Sequence, residues 1–190
     1  MAEAFFQATA WTMDTPKPYG AFHLVLTVLG VSLSIFLARK FSFPERKAGP
    51  DTILFLCGLF LGLTELYKQG FIYYIENGRT YDWWYFPFQL CSVPMYLGLF
   101  IPMVPARIRN VFYLFIQDFG LLGGIMALAE PSGLMHPYWT MTVHGFLWHF
   151  NLIFMGLICA FYNLKTETPK SYLHTIPLFL FCTAIATAVN

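Results

Sequence analysis

The sequence predicts an all-α protein, a polytopic bundle of six transmembrane helices with its N-terminus outside. Three observations carry that prediction. Of 190 residues, 57% are hydrophobic, 19% aromatic and only 11% charged, where a soluble domain carries roughly 25% charged residues. The apolar residues gather into stretches close to the roughly 20 residues that cross a bilayer core. The basic residues between those stretches fall mostly on one side. A soluble bundle would need amphipathic helices facing water, and no segment has a clean polar stripe.

The first stretch runs from about Tyr19 to Ala38 and ends at Arg39 and Lys40. The second runs from about Thr52 to Tyr74, with Glu65 and Lys68 in its later half. Trp83, Trp84, Tyr85 and Phe86 open the third as an interfacial aromatic belt, and it continues to Val104. Asn110 begins the fourth, which stops before Pro131, and the fifth spans about Tyr138 to Tyr162. The sixth starts near Tyr172 and is still running at Asn190, so a truncated helix is expected there.

Charge orients the bundle. Arg39, Lys40, Arg46, Lys47, Arg107, Arg109, Lys165 and Lys170 follow the first, third and fifth stretches, whereas the opposite side holds Lys17 and Arg79 with several acids. By the positive-inside rule the first of these sides is cytoplasmic. The first 17 residues lack the pattern of a cleavable signal, so the first span is expected to be retained. Short connections make residues 1–190 one transmembrane domain with neighbouring helices antiparallel. The net charge of +1 says little about partners, but no basic block of nucleic-acid type occurs, so no nucleic acid is expected as a partner. Membrane lipids are the expected partners, and the oligomeric state is left open.

Polar residues within apolar stretches are costly and mark function by default. Here they are His23, Glu65, Lys68, Gln89, Cys91, Asp118, His144 and His149. At 1.5 Å per residue, Cys91 lies roughly 10 Å below the outer boundary, with His144 and Glu65 near the same level. Asp118 and His149 fall deeper, at roughly 13 to 17 Å. His23 completes an outer ring.

A thiol beside an imidazole is a nucleophile with its base. Cys91 and His144 are therefore candidate catalytic residues, with Glu65 or Asp118 orienting the imidazole. Gln89, Lys68 and His23 are candidate substrate-binding residues. On an ideal helix Gln89 points about 200° away from Cys91, and Pro94 distorts that geometry by freeing a carbonyl for Asn or Gln donors. His149 stands about 140° around the helix from His144. Set against this, Glu65 and Lys68 can neutralise each other as an i,i+3 pair, and both histidines can simply bridge helices. Gly120 and Gly124 form a small-xxx-small packing pair. Cys57, Cys159 and Cys182 read as packing residues. No zinc spacing or phosphate-cradling loop occurs, so no metal or cofactor is expected.

The segments FQLCSVPMYL (Phe88 to Leu97), LGGIMALAEP (Leu122 to Pro131) and HGFLWHFNLIFMGL (His144 to Leu157) resemble hallmark segments of the bacterial YwaF-like integral membrane proteins. That resemblance covers nearly the whole chain and implies a multi-pass protein of the bacterial cytoplasmic membrane. It also implies that this chain lacks the family's C-terminal end. The YwaF-like family is similar, more distantly, to a eukaryotic transmembrane family regarded as a cysteine-dependent acyltransferase acting on ether phospholipids. This relation implies Cys91 as the acyl-accepting nucleophile and either His144 or His149 as the essential histidine.

The sequence thus leads to an intramembrane acyltransferase or acyl hydrolase acting on phospholipid. Two alternatives stand beside it. A small-solute or proton-coupled transporter would use a polar column from His23 through Glu65 to Asp118. A membrane scaffold or regulatory subunit would use the same residues only to tie helices together.

Overall fold

A computed structural model describes residues 2–42, 50–163, 168 and 170–189. Arg46, Lys47 and Lys165, three of the residues used to orient the bundle, lie outside the described residues. The described residues form an all-α polytopic membrane bundle.

Among the described residues, eight α-helices occur in chain order: α1 (Ala2–Thr9), α2 (Ala21–Ser42), α3 (Asp51–Phe71), α4 (Val93–Phe100), α5 (Ala106–Phe115), α6 (Leu121–Ala129), α7 (Trp139–Asn163) and α8 (Ile176–Val189). A π-helical turn, Ile72–Glu76, extends α3, and another, Ile116–Gly120, joins α5 to α6. Among the described residues, four helical segments are long and apolar enough to cross a membrane: Ala21–Ser42, Ala106–Ala129, Trp139–Asn163 and Ser171–Ala188.

Length and apolarity thus mark four of the six expected spans, and the second and third stretches fall short. α3 is 21 residues long but carries Asp51, Glu65 and Lys68, and it is not among the four. The third stretch is broken. Pro87, Pro94, Pro102 and Pro105 all fall within it, and each lacks the N–H that helix continuation needs. What remains is a shorter apolar helical segment, Leu90–Met103, in which the eight residues of α4 are flanked by the 3-10 turns Leu90–Ser92 and Ile101–Met103. Irregular backbone at membrane depth is tolerated where protein covers it, and Ser92, Val93, Pro94, Met95, Leu97 and Gly98 are buried.

α4 packs along α3, while α7 packs along α2 and the α5–α6 segment. The α3–α4 crossing is close because it meets at two glycines. A β-carbon on Gly98 would come within 2.7 Å of the Leu54 carbonyl oxygen, and one on Gly58 within 2.8 Å of the Leu99 nitrogen. Leu54, Leu61, Ile101, Phe115, Leu152 and Met155 fill the interior. α2 turns Val25, Val28, Leu29 and Phe36 outward, as expected of a helix facing hydrocarbon.

The N-terminal segment straps the end of the bundle where α7 begins. The Met13 N–H donates to the Pro137 carbonyl and the Trp139 N–H to the Trp11 carbonyl, both at 2.9 Å. Phe6 stacks on Tyr74 and lies against Gly70, so α1 rests on the end of α3.

Candidate functional site

Cys91 sits in the 3-10 turn just before α4, partly buried. Gln89, immediately before that turn, is extended, with φ −75° and ψ 162°. The helical angle that would turn Gln89 away does not apply, and its Oε1 lies 3.9 Å from the Cys91 sulfur. The same break removes the basis for counting the depth of Cys91 by helical rise. In a 3-10 turn the Cys91 carbonyl would accept from residue 94, but that residue is Pro94. The indole Nε1–H of Trp148 donates to this carbonyl instead, at 3.2 Å. Pro94 was expected to invite an Asn or Gln donor, and a tryptophan from α7 takes that place.

Trp148 also touches two other polar residues. The His144 ring, one turn earlier on α7, is 5.5 Å from it between centroids, and the Lys68 Nζ lies 5.9 Å above the indole ring, within cation–π range. Cys91, His144 and Lys68 therefore converge on one buried side chain that sequence reasoning passed over. The i,i+4 spacing of His144 and Trp148 was the available signal, since it places both on one face of the helix.

Lys68 pairs with Glu65, Nζ to Oε1 at 2.8 Å, as the i,i+3 spacing suggested. The same Oε1 accepts from Gln69 Nε2 at 2.7 Å, and Gln69 Nε2 also donates to the Tyr85 carbonyl at 2.6 Å. Glu65 is only 4% exposed, and its Oε2 has no hydrogen-bond partner. His144 Nε2 is likewise buried without one. Among the described residues no hydrogen bond joins Cys91 to His144; they meet through Trp148.

Three other candidates are held elsewhere. His23 accepts from the Tyr19 N–H at Nδ1 and donates from Nε2 to the Leu128 carbonyl, tying α2 to α6. His149 donates from Nδ1 to the Gly145 carbonyl of its own helix at 2.7 Å. Asp118 lies on the π-turn, where Gln117 Nε2 is 3.5 Å from its Oδ1 and Gln117 Oε1 accepts from Asn163.

The antiparallel register places Asp118 in depth. Gly156 meets Ile116, Gly120 meets Leu152, and Gly124 meets His149 and Ile153. Asp118 is therefore level with residues near 154, about 15 Å along α7 from His144, too far to orient its ring. By the same contacts Gly123 faces Cys91, at 3.6 Å for an added β-carbon, whereas one on Gly124 would come within 2.7 Å of Ile153. Of these two neighbouring glycines, Gly124 is the one required by packing.

Among the described residues no group of three or more His, Cys, Asp and Glu is placed to hold a metal. A cavity of about 540 Å³, lined by Asn77, Thr80, Tyr81, Asp82 and Trp83, opens in the connection that follows α3.

The TMEM164 family model matches residues 18–190, and the chain belongs to that family. This corrects the YwaF-like resemblance. That reading was drawn from three segments and taken to cover nearly the whole chain, and the family whose model matches residues 18–190 is a different one. No curated protein and no solved structure matches the chain.

Proposed function

We propose that this member of the TMEM164 family transfers acyl chains from a phospholipid ester, to a second lipid or to water, through a thioester on Cys91. What supports the reading is the meeting of Cys91, His144 and Lys68 on Trp148, with His144 Nε2 buried and unpartnered.

The steps balance as follows. The Cys91 sulfur attacks the ester carbonyl while its proton passes to His144 Nε2. The tetrahedral intermediate collapses with cleavage of the carbonyl–oxygen bond, and His144 returns the proton to the leaving alcohol. The acceptor hydroxyl then attacks the thioester, its proton moving to His144, and the sulfur leaves and is reprotonated. Gln89, whose side chain reaches the Cys91 sulfur, or Lys68, held over the Trp148 ring, is assigned to steady the oxyanion or a phosphate. Glu65, which holds Lys68 over the same Trp148 ring and keeps Oε2 unpartnered, is the acid we assign to orient His144.

In this reading the N-terminus faces outward, α3 and the broken third stretch complete six crossings, and the site lies in the outer half of the bilayer. The transport alternative needs a continuous polar column. The bond of His23 to the Leu128 carbonyl and the offset of Asp118 from His144 favour the acyl-transfer reading over it.

Purified protein in vesicles, given a phospholipid with a labelled acyl chain and a lysophospholipid acceptor, tests the proposal. Transfer is expected to fall at least about a hundredfold in Cys91→Ala, and mass spectrometry is expected to find the acyl group on Cys91 in the wild type. Unchanged transfer in both Cys91→Ala and Cys91→Ser would rule the reading out.

A further inference from the structure

We propose that Trp148 is the positioning residue of this site, holding the Cys91 backbone with its indole N–H and the His144 ring with its face. The kinetic part of this inference rests on the acyl-transfer reading; the geometric part does not.

Cys91 stands in a stretch interrupted by four prolines, Pro87, Pro94, Pro102 and Pro105, and such a segment cannot set a side chain's direction as a continuous helix does. Pro94 withholds the 3-10 donor from the Cys91 carbonyl. A buried carbonyl left so costs about as much as a lost hydrogen bond, and a buried indole N–H needs an acceptor too. Each satisfies the other at 3.2 Å.

α7 supplies what the third stretch lacks. It runs unbroken from Trp139 to Asn163, and Trp148 is 5% exposed, so its rotamer is fixed by surrounding packing. His144, one turn earlier, lies against the indole at 5.5 Å between centroids with the planes 36° apart. Its ring is thereby limited in tilt while Nε2 stays unpartnered. Lys68, bonded to Glu65, approaches the same indole. One side chain thus references the nucleophile's backbone, the base and the nearest cation to a single rigid helix. Small displacements in such geometry are costly to rate.

Trp148→Phe keeps an aromatic face and removes the N–H. A closer test replaces Trp148 with its benzothienyl analogue, which removes the N–H while nearly preserving shape. Both are compared with wild type for acyl transfer and for alkylation of Cys91 by a small maleimide between pH 5 and 9. Positioning predicts a kcat lowered about tenfold, the scale of one buried hydrogen bond, with KM nearly unchanged. It also predicts a displaced pH profile of alkylation in both variants, at a melting temperature close to wild type for the analogue. An analogue with wild-type kcat and an unchanged alkylation profile would overturn the inference, as would a Phe variant whose sole defect is a lower melting temperature. If Cys91→Ala keeps full transfer, the acyl-transfer reading fails, and the alkylation profile still decides whether Trp148 positions Cys91.

Discussion

Asp51 and Glu65 stand on the same helix, about 21 Å apart along its axis, and they use their oxygens differently. Asp51 commits both: Oδ2 pairs with Arg109 and Oδ1 accepts from the Tyr113 hydroxyl, so the carboxylate ties the start of α3 to α5. Glu65 directs Lys68 and Gln69, both from its own helix, to Oε1 and leaves Oε2 with no partner. Asp51 is also about a third exposed, at 31%, against 5% for the Glu65 side chain. A carboxylate that costs more to bury and yet leaves an acceptor idle contributes less to joining helices than it could. Under the acyl-transfer proposal, the difference separates a carboxylate that assembles the bundle from one available to chemistry.

The sharpest way to break that comparison is at Glu65. Glu65→Gln keeps size but removes the charge and leaves Lys68 unpaired, so some stability is lost, and acyl transfer per folded molecule is expected to fall by about a hundredfold. Normal transfer in a less stable protein would put Glu65 in the same class as Asp51. Asp51→Asn should give the converse. Losing the ion pair with a half-buried arginine is expected to cost about 1–2 kcal/mol of stability, measured by unfolding in detergent, while transfer per folded molecule stays at the wild-type level.

The smallest effect is expected at Glu130, an exposed carboxylate outside the spans. It caps the 3-10 turn Pro131–Leu134, accepting from the Ser132 hydroxyl and N–H. The Ser132 hydroxyl first, then its N–H, holds this carboxyl below its ordinary value of 4.5. A depressed folded value means that the stabilisation is complete above the unfolded value and is lost as pH falls through the folded one. Glu130→Gln is thus expected to melt slightly lower than wild type at pH 7, the two converging as pH drops below 4.5. A gap that persists at low pH would show that the charge is not what the cap uses.

Much of this was legible along the chain. Hydropathy marked the membrane class and the order of the apolar stretches, because transfer into hydrocarbon is a sum over neighbouring residues. The i,i+3 pairing of Glu65 with Lys68 was equally readable, being set by helix geometry alone. The third stretch was less so. Its apolar residues suggested a continuous span, and four prolines outweighed them. Short motifs likewise suggested a family that the full-length match replaced.

What the sequence determined by itself, then, was where the chain prefers hydrocarbon and which polar residues would be carried into it. Only the tertiary structure decided that Trp148 fills the donor position Pro94 leaves empty, that His23 bonds to α6, and that Asp118 lies a few turns from His144. Those outcomes depend on where the backbone breaks and how helices distant in sequence are rotated and offset against one another. Close approaches such as Gly58 with Gly98 and Gly124 with Ile153 set that register, and no local property of either partner contains it.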